Sequence, residues 1–309
     1  MKKIFIDGKE GCAAALIEKR LSARDDVEML VLADDMKKDL DARREMLNLA
    51  DIVFLCLPDA AAKSAVAMID NLDTVVIDTL GVHKTNPAWA YGFPELSDEF
   101  DEKIKKSRRI VIPGALSIGF IALIRPLINA GILSRDTELT ANVITGYSAL
   151  GANVISEYRN SERNRLLSAP RQYELGQNSA EIAEIVKLCG LERAPIICPF
   201  VSGFYSGVEI TVPIFRSQLL RGGIEDVKRV YRESYNFPLV YFKENVDDVQ
   251  FLSAAEKSDK DSMQIELQGN SDRMILVARY DNLGKGASGA AIECLNIKLG
   301  CDYTKSLKM

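Results

Sequence analysis

The chain has 309 residues, 47% of them hydrophobic and 27% charged, with a formal net charge of −5 and a pI near 5.3. That length suits two domains, and an acidic balance without a basic patch argues against a nucleic-acid surface. No apolar stretch nears the length a membrane-spanning helix needs, and a lone histidine, His83, makes a His-based metal site a poor fit.

The chain opens directly on Ile4-Phe5-Ile6 with no signal-peptide pattern. Its six cysteines (12, 56, 189, 198, 294 and 301) are scattered without a Cys-x-x-Cys pair. Reduced thiols and a cytoplasmic location are expected. Lys2 to Ile6 predicts a strand and Ala13 to Leu21 a helix, joined by Gly8-x-x-Gly11-x-x-Ala14. In a dinucleotide fold Gly8 permits the tight turn, Gly11 the approach of a phosphate, and Ala14 close packing of helix on sheet. A merely structural glycine turn fits the same residues. Val27 to Leu32 predicts a second strand. Asp34 and Asp35 then fall where a ribose-binding acid selects NAD, Lys37 and Lys38 where a 2′-phosphate selects NADP, and a solvated helix start explains all four.

Asp39 to Asn48 predicts a helix, and Asp51 to Pro58 a near-continuous apolar strand covered on both faces. Its end, Leu57-Pro58, leads into a helix from Ala60 to Ile69 and marks a second edge of the cofactor site. Cys56, inside the apolar run, reads as packing. Thr74 to Asp78 is the next strand, followed by His83 and Lys84. An apolar run from Arg109 to Ile112 ends at Pro113-Gly114, and a long apolar helix covers Phe120 to Leu133. Strand, tight turn and helix start in series mount a reactive side chain and aim backbone N–H groups at a developing oxyanion. The residue at the apex of this turn is Ala115, which carries no chemistry.

Farther on, Thr137 to Gly146 alternates as a strand and leads into Tyr147-Ser148. Ser161 to Pro170 is polar and loop-like, and a helix is expected from Tyr173 to Leu188, with Glu181 on its solvent face. Pro195 to Pro199, Val208 to Ile214 and Arg273 to Tyr280 predict strands, and Arg216 to Tyr235 a helix. Strands grouped in this way suggest an antiparallel sheet with helices on one face.

Several segments together resemble the shorter subfamily of the N-acetyl-gamma-glutamyl-phosphate reductases, within the semialdehyde dehydrogenase superfamily. They are Tyr91-Gly92-Phe93-Pro94-Glu95-Leu96, Pro113-Gly114 through Gly119-Phe120, Gly146-Tyr147-Ser148, and Asp281-Asn282-Leu283-Gly284-Lys285-Gly286. The resemblance runs from Ile4 to Gly300. It implies a Rossmann-type doubly wound parallel sheet with a second α+β domain. The first domain would take residues 1–118 and 284–309, and the second, for substrate and dimerisation, 119–283. It also implies an NADP-dependent reductase of arginine biosynthesis that turns N-acetylglutamyl phosphate into the semialdehyde through a cysteine thioester.

Aligned on the family motifs, Ala115 falls on the nucleophilic cysteine, and Ser179 and Glu181 on the two histidines of His-Lys-His-Leu-Pro-Glu. His83 and Lys84 fall on a His-Arg pair, and with Tyr147 and Ser148 form the implied substrate site. Gly8, Gly11, Ala14, Leu57, Pro58, Lys285 and Gly286 form the implied cofactor site, although Lys285 is equally a loop cap. Cys12 and Ala13 replace two threonines of the family's phosphate loop, and Ala152 and Asn153 replace two lysines. The expected partners are a small-molecule substrate or a second copy of the chain. Two classes of function follow: a divergent reductase with impaired chemistry, or a non-catalytic nucleotide- or partner-binding protein on the same fold.

Overall fold

The computed structural model describes residues 1–8, 11–36, 39–245 and 250–309. They form two compact units. The first comprises Met1–Pro94, Asp98–Pro113 and Ala287–Leu307, and the second Glu95–Ser97, Gly114–Gly286 and Lys308–Met309.

The first unit alternates strands with helices. Its elements are β1 (Lys2–Asp7), α1 (Cys12–Leu21), β2 (Val27–Leu30), α2 (Leu40–Leu49), β3 (Ile52–Leu55), α3 (Asp59–Ala67), β4 (Val75–Asp78), β5 (Ala90–Tyr91), α4 (Asp98–Lys106) and β6 (Arg109–Val111). The strands form one sheet in the order β2-β1-β3-β4-β6-β5, every neighbouring pair parallel. Helical crossovers cover such a sheet, which is why Ile52 to Leu55 is apolar throughout and wholly buried. The order reverses direction at β1, with β2 on one side and β3 on the other, so the carboxyl ends of β1 and β3 flank the switch point.

The second unit opens with α5 (Ser117–Asn129), then β7 (Thr140–Gly146), α6 (Ala152–Arg159), β8 (Arg171–Gln172), α7 (Ala180–Cys189), β9 (Ile196–Ser202) and β10 (Val208–Phe215). There follow α8 (Ile224–Ser234), β11 (Val240–Phe242), β12 (Met263–Gly269) and β13 (Arg273–Tyr280). Helix α5 is buried along nearly its whole length and packs on β10, β13, α7 and α8. Pro126 within it has no N–H to give the Ala122 carbonyl. The Tyr235 hydroxyl, from just beyond α8, supplies that donor at 2.7 Å.

Three expectations are corrected here. The sheet, ordered β11-β12-β13-β10-β7-β9-β8, is mixed rather than antiparallel, because β7–β9 and β11–β12 run parallel. Helices α6 and α7 lie in the long connection from β7 to β9, and a parallel return needs such a crossover. Helix α7 starts at Ala180, not Tyr173, since Glu174 and Gln177 take left-handed backbone angles and Ser179 caps the first turn. Helix α8 starts at Ile224, after the Gly222-Gly223 break.

The chain closes with α9 (Gly289–Leu299), whose residues Ala290, Ala291, Ile292, Cys294 and Leu295 belong to the core of the first unit. Arg24 fixes this return. Its Nη1 donates to Asn296 Oδ1 at 2.5 Å, and its Nη2 and Nε donate to both oxygens of Asp26. The Arg24 hydrogen bonds, with Lys305 beside them, hold the Asp26 carboxyl well below the usual carboxylate range. A depressed carboxyl pKa contributes stability that is present above the unfolded value of ~3.9 and lost as pH falls toward the folded one. Urea unfolding should therefore show Asp26→Asn less stable than the natural protein at pH 7. The gap should shrink steadily below about pH 4. A gap that persists unchanged in acid would refute the assignment.

Candidate functional site

In the second unit the turn after Gly114 is clasped by α7. Leu116 N–H and Ser117 N–H both donate to Glu181 Oε2, at 2.8 and 2.7 Å, and Gly114 N–H donates to Glu184 Oε1 at 2.9 Å. Leu116 and Ser117 N–H are orphan donors of the first turn of α5, and an anionic side chain satisfies them. Gly114 leaves room for the clasp: a Cβ would stand 2.5 Å from Ser117 Oγ and 2.7 Å from Glu181 Oε2, so a larger residue would have to displace those side chains. Ala115 sits at the apex. Its carbonyl accepts from the Tyr280 hydroxyl at 2.6 Å, and a Cβ built on Gly286 would lie 3.6 Å from its Cα. A small pocket alongside is lined by Leu116, Phe120, Glu174, Ser179 and Glu181.

Glu181 is thus not the solvent-facing helix residue the sequence suggests. It is partly buried, with one oxygen engaged by two backbone donors. Glu184, which the resemblance aligns with the glutamate that ends the family motif, is fully buried, and its part in the turn went unread in the sequence. Ser179 caps α7. Ala115, Ser179 and Glu181 thus present a methyl group, a helix cap and a carboxylate clasp.

Lys285, expected at a cofactor phosphate or as a loop cap, forms a buried ion pair. Its side chain is fully buried and its Nζ lies 2.6 Å from Glu95 Oε1. The segment around it is tied down by Asp281, whose Oδ1 accepts from Leu283 N–H and Gly284 N–H, and whose Oδ2 accepts from Ser206 Oγ. Asn282 accepts from Gly207 N–H and donates to Ser148 Oγ at 2.9 Å. Tyr147 stacks on Tyr158 with centroids 4.9 Å apart.

In the first unit, Gly8 ends β1 with φ +90°, and a Cβ there would stand 2.5 Å from the Cys56 carbonyl. Gly11 is the N-cap residue of α1, and among the described residues no atom beyond its chain neighbours and its own helix lies within 4 Å of the place a Cβ would take. Ala14 is buried against the sheet, and Leu57-Pro58 leads from β3 into α3. The glycine turn, the open helix start and the switch point suit a dinucleotide phosphate. Burial pushes the Cys56 thiol up to about 11, which makes it a packing residue. Asp35 is exposed; Lys37 and Lys38 lie outside the described residues. His83 is buried, its Nδ1 2.8 Å from Asp78 Oδ2 and its ring stacked on Trp89 at 3.9 Å. Lys84 is partly buried and lies over Gly81. Among the described residues no cluster of His, Cys, Asp and Glu could hold a metal, and no helix is long and apolar enough to cross a membrane.

Comparison with solved structures identifies the fold as that of the semialdehyde dehydrogenases. Aspartate semialdehyde dehydrogenase II from Vibrio cholerae matches with a TM-score of 0.71 at 13% identity, over 97% of this chain and 98% of that one. The enzyme from Candida albicans, solved with NADP, matches with a TM-score of 0.63 at 14% identity, over 96% and 98%. Residues 117–282 match the family described as semialdehyde dehydrogenase, dimerisation domain.

The N-acetyl-gamma-glutamyl-phosphate reductases of Brucella ovis and Brucella melitensis are each 36% identical over 306 residues, covering 96% of this chain and 99% of theirs. The chain belongs to the N-acetyl-gamma-glutamyl-phosphate reductase family.

Proposed function

We propose that this protein keeps the reductase fold and a nicotinamide-dinucleotide site but does not reduce an acyl phosphate through a thioester. The observation that carries this is the turn at Ala115. A thioester needs a thiolate, and the apex offers a methyl group. An oxyanion needs N–H donors, and those of Leu116 and Ser117 already bond to Glu181. The side chain on the base position is thus committed to holding the backbone.

The dinucleotide is NADP, as in the Candida albicans relative. When bound it supplies or accepts hydride. Gly8, Gly11 and Ala14 would hold it, with Leu57 and Pro58 at the facing strand end. Cys12 and Ala13 offer no hydroxyl to a phosphate, and each lost hydrogen bond to a charged group weakens binding by roughly 1.5–3 kcal/mol. Calorimetry with NADP and NAD should find saturable binding weaker than micromolar. Micromolar or tighter binding would show the loop uncompromised, and no binding at millimolar ligand would reject the site. Assayed in reverse with the semialdehyde, NADP and phosphate, the protein should form no acyl phosphate. Measurable turnover would overturn the reading.

The second unit assembles with another copy of itself. Ile144, Ile196, Phe215 and Ile275 are exposed on one face of its sheet, opposite the face that α5 covers. Light scattering should give a dimer, and Phe215→Arg should shift it toward monomer. A natural protein that is monomeric at micromolar concentration would rule this out.

A further inference from the structure

We infer that two copies of the second unit meet sheet to sheet with their strands antiparallel, so that Arg273 of each copy enters an acidic corner around Glu209 of the other. The inference rests on the self-association proposed above and adds its direction and its charged contact. Strands β10 and β13 pair from Glu209 and Arg279 at one end to Phe215 and Arg273 at the other. Alternate residues of both strands stand on the open face with Ile144 and Ile275. From Glu209 to Phe215 is six residues, so the two ends lie about 20 Å apart at ~3.3 Å per residue.

At the first end carboxylates outnumber cations. Arg279 Nε donates to Glu266 Oε1 at 2.8 Å, and Arg279 Nη1 donates to Glu256 Oε2. Gln264 Nε2 donates to the same Glu266 oxygen at 2.8 Å. Lys257, the other cation there, donates to the Tyr241 hydroxyl at 2.7 Å and not to a carboxylate. Glu209 pairs in register with Arg279 on one side and Ile144 on the other. Its Oε2, and that of the fully buried Glu266, are buried without a hydrogen-bond partner among the described residues. Desolvation pushes the Glu209 carboxyl up, Arg279 offsets only part of this, and Glu266 and Glu256 add to it. The cluster lacks one more cation.

The other end has a cation to give. Arg273 is exposed, and its side chain makes no ion pair or hydrogen bond among the described residues. Arg216 and Asp272, joined by a backbone hydrogen bond of 2.8 Å, bring one charge of each sign, so Arg273 sets the sign of this end.

The twofold axis between two facing sheets lies in the plane of the interface. An axis parallel to the strands would set acidic end on acidic end and Arg273 on Arg273. An axis across the strands, near the middle of β10, sets each Arg273 over the other copy's acidic end, twice in one dimer. Like charges placed face to face are strongly unfavourable, so the polarity of the face selects the second arrangement. Side chains of facing sheets interdigitate across about 10 Å, within reach of an arginine.

The test is fluorescence-detected sedimentation equilibrium of the intact protein at low and high salt. The natural dimer should weaken as salt rises, because opposite charges are screened. Arg273→Glu should weaken the dimer at least tenfold at low salt, and that variant should tighten as salt rises, because like charges are then screened. Adding Glu209→Lys to Arg273→Glu should recover most of the lost affinity. Differently tagged Glu209→Lys and Arg273→Glu chains, once mixed, should pair with each other in preference to themselves. Arg165→Glu, an equal change of charge at an exposed residue in the crossover between β7 and β9, should shift affinity less than twofold. Should Glu209→Lys unfold beside Arg279, the salt response of Arg273→Glu decides by itself. An Arg273→Glu dimer with the natural affinity and salt response would overturn this arrangement and leave the self-association standing. A natural protein that is monomeric at micromolar concentration would overturn both.

Discussion

Ala115→Cys alone should leave the protein without acyl-phosphate reduction, and Ala115→Cys with Glu181→His should do more than the two single changes combined. A nucleophile and its base work as a unit, and loss of one from such a unit costs on the order of a million-fold. The clasp gives the single variant a second handicap. A thiol introduced at 115 would stand beside the carboxylate that bonds the next two N–H groups, and a nearby negative charge disfavours the thiolate. Alkylation rates against pH should therefore place that thiol above the ordinary ~8.5, with a fall when Glu181→His is added. The double variant should also be less stable, since it loses charge-assisted bonds worth roughly 1.5–3 kcal/mol each. Steady-state turnover of the four proteins and their urea midpoints decide the matter. Activity in Ala115→Cys equal to that of the double variant would refute the role given to Glu181.

Lys285→Met should be the most damaging single change in stability outside the hydrophobic core. It strands Glu95, a buried carboxylate whose Oε1 bonds Lys285 and whose Oε2 has no hydrogen-bond partner among the described residues. Breaking a buried pair from one side typically costs about 3–5 kcal/mol, because the remaining charge keeps its desolvation penalty. Lys285→Met with Glu95→Gln should recover most of that loss, since replacing both partners is often near neutral. Denaturant midpoints of the single and double variants test this. A double variant no better than the single would show that Lys285 acts through contacts other than Glu95.

Much of this fold is written locally. The βαβ rhythm of the first unit follows from apolar runs such as Ile52 to Leu55, and Arg273 to Tyr280 reads as a strand with the bounds it has. The start of α7 was hidden, because Tyr173-Glu174-Leu175 looks helical until Gly176 to Ser179 is weighed as turn and cap. Strand direction in the second sheet was hidden too, since pairing β7 with β9 depends on a long crossover and not on either strand's pattern. The turn at Ala115 was legible as a frame. Its clasp was not, because Glu181 and Glu184 meet it from more than sixty residues away in sequence. A glutamate with helical spacing looks the same whether it faces water or a backbone N–H.

Helix α9 also bears on the protein's synthesis. The strands of the first unit all precede residue 114, yet part of its hydrophobic interior, Ala290 to Leu295, follows the main segment of the other unit. Residues 114–286, belonging to the other unit, must be translated in between. At about 5–20 residues per second that interval lasts roughly 10–35 s. Throughout it the nascent sheet has no α9 to cover it, so a ribosome-bound chaperone would find its apolar surface open. A stop codon placed before Ala287 would produce a chain whose defect appears in strands far upstream of the lesion.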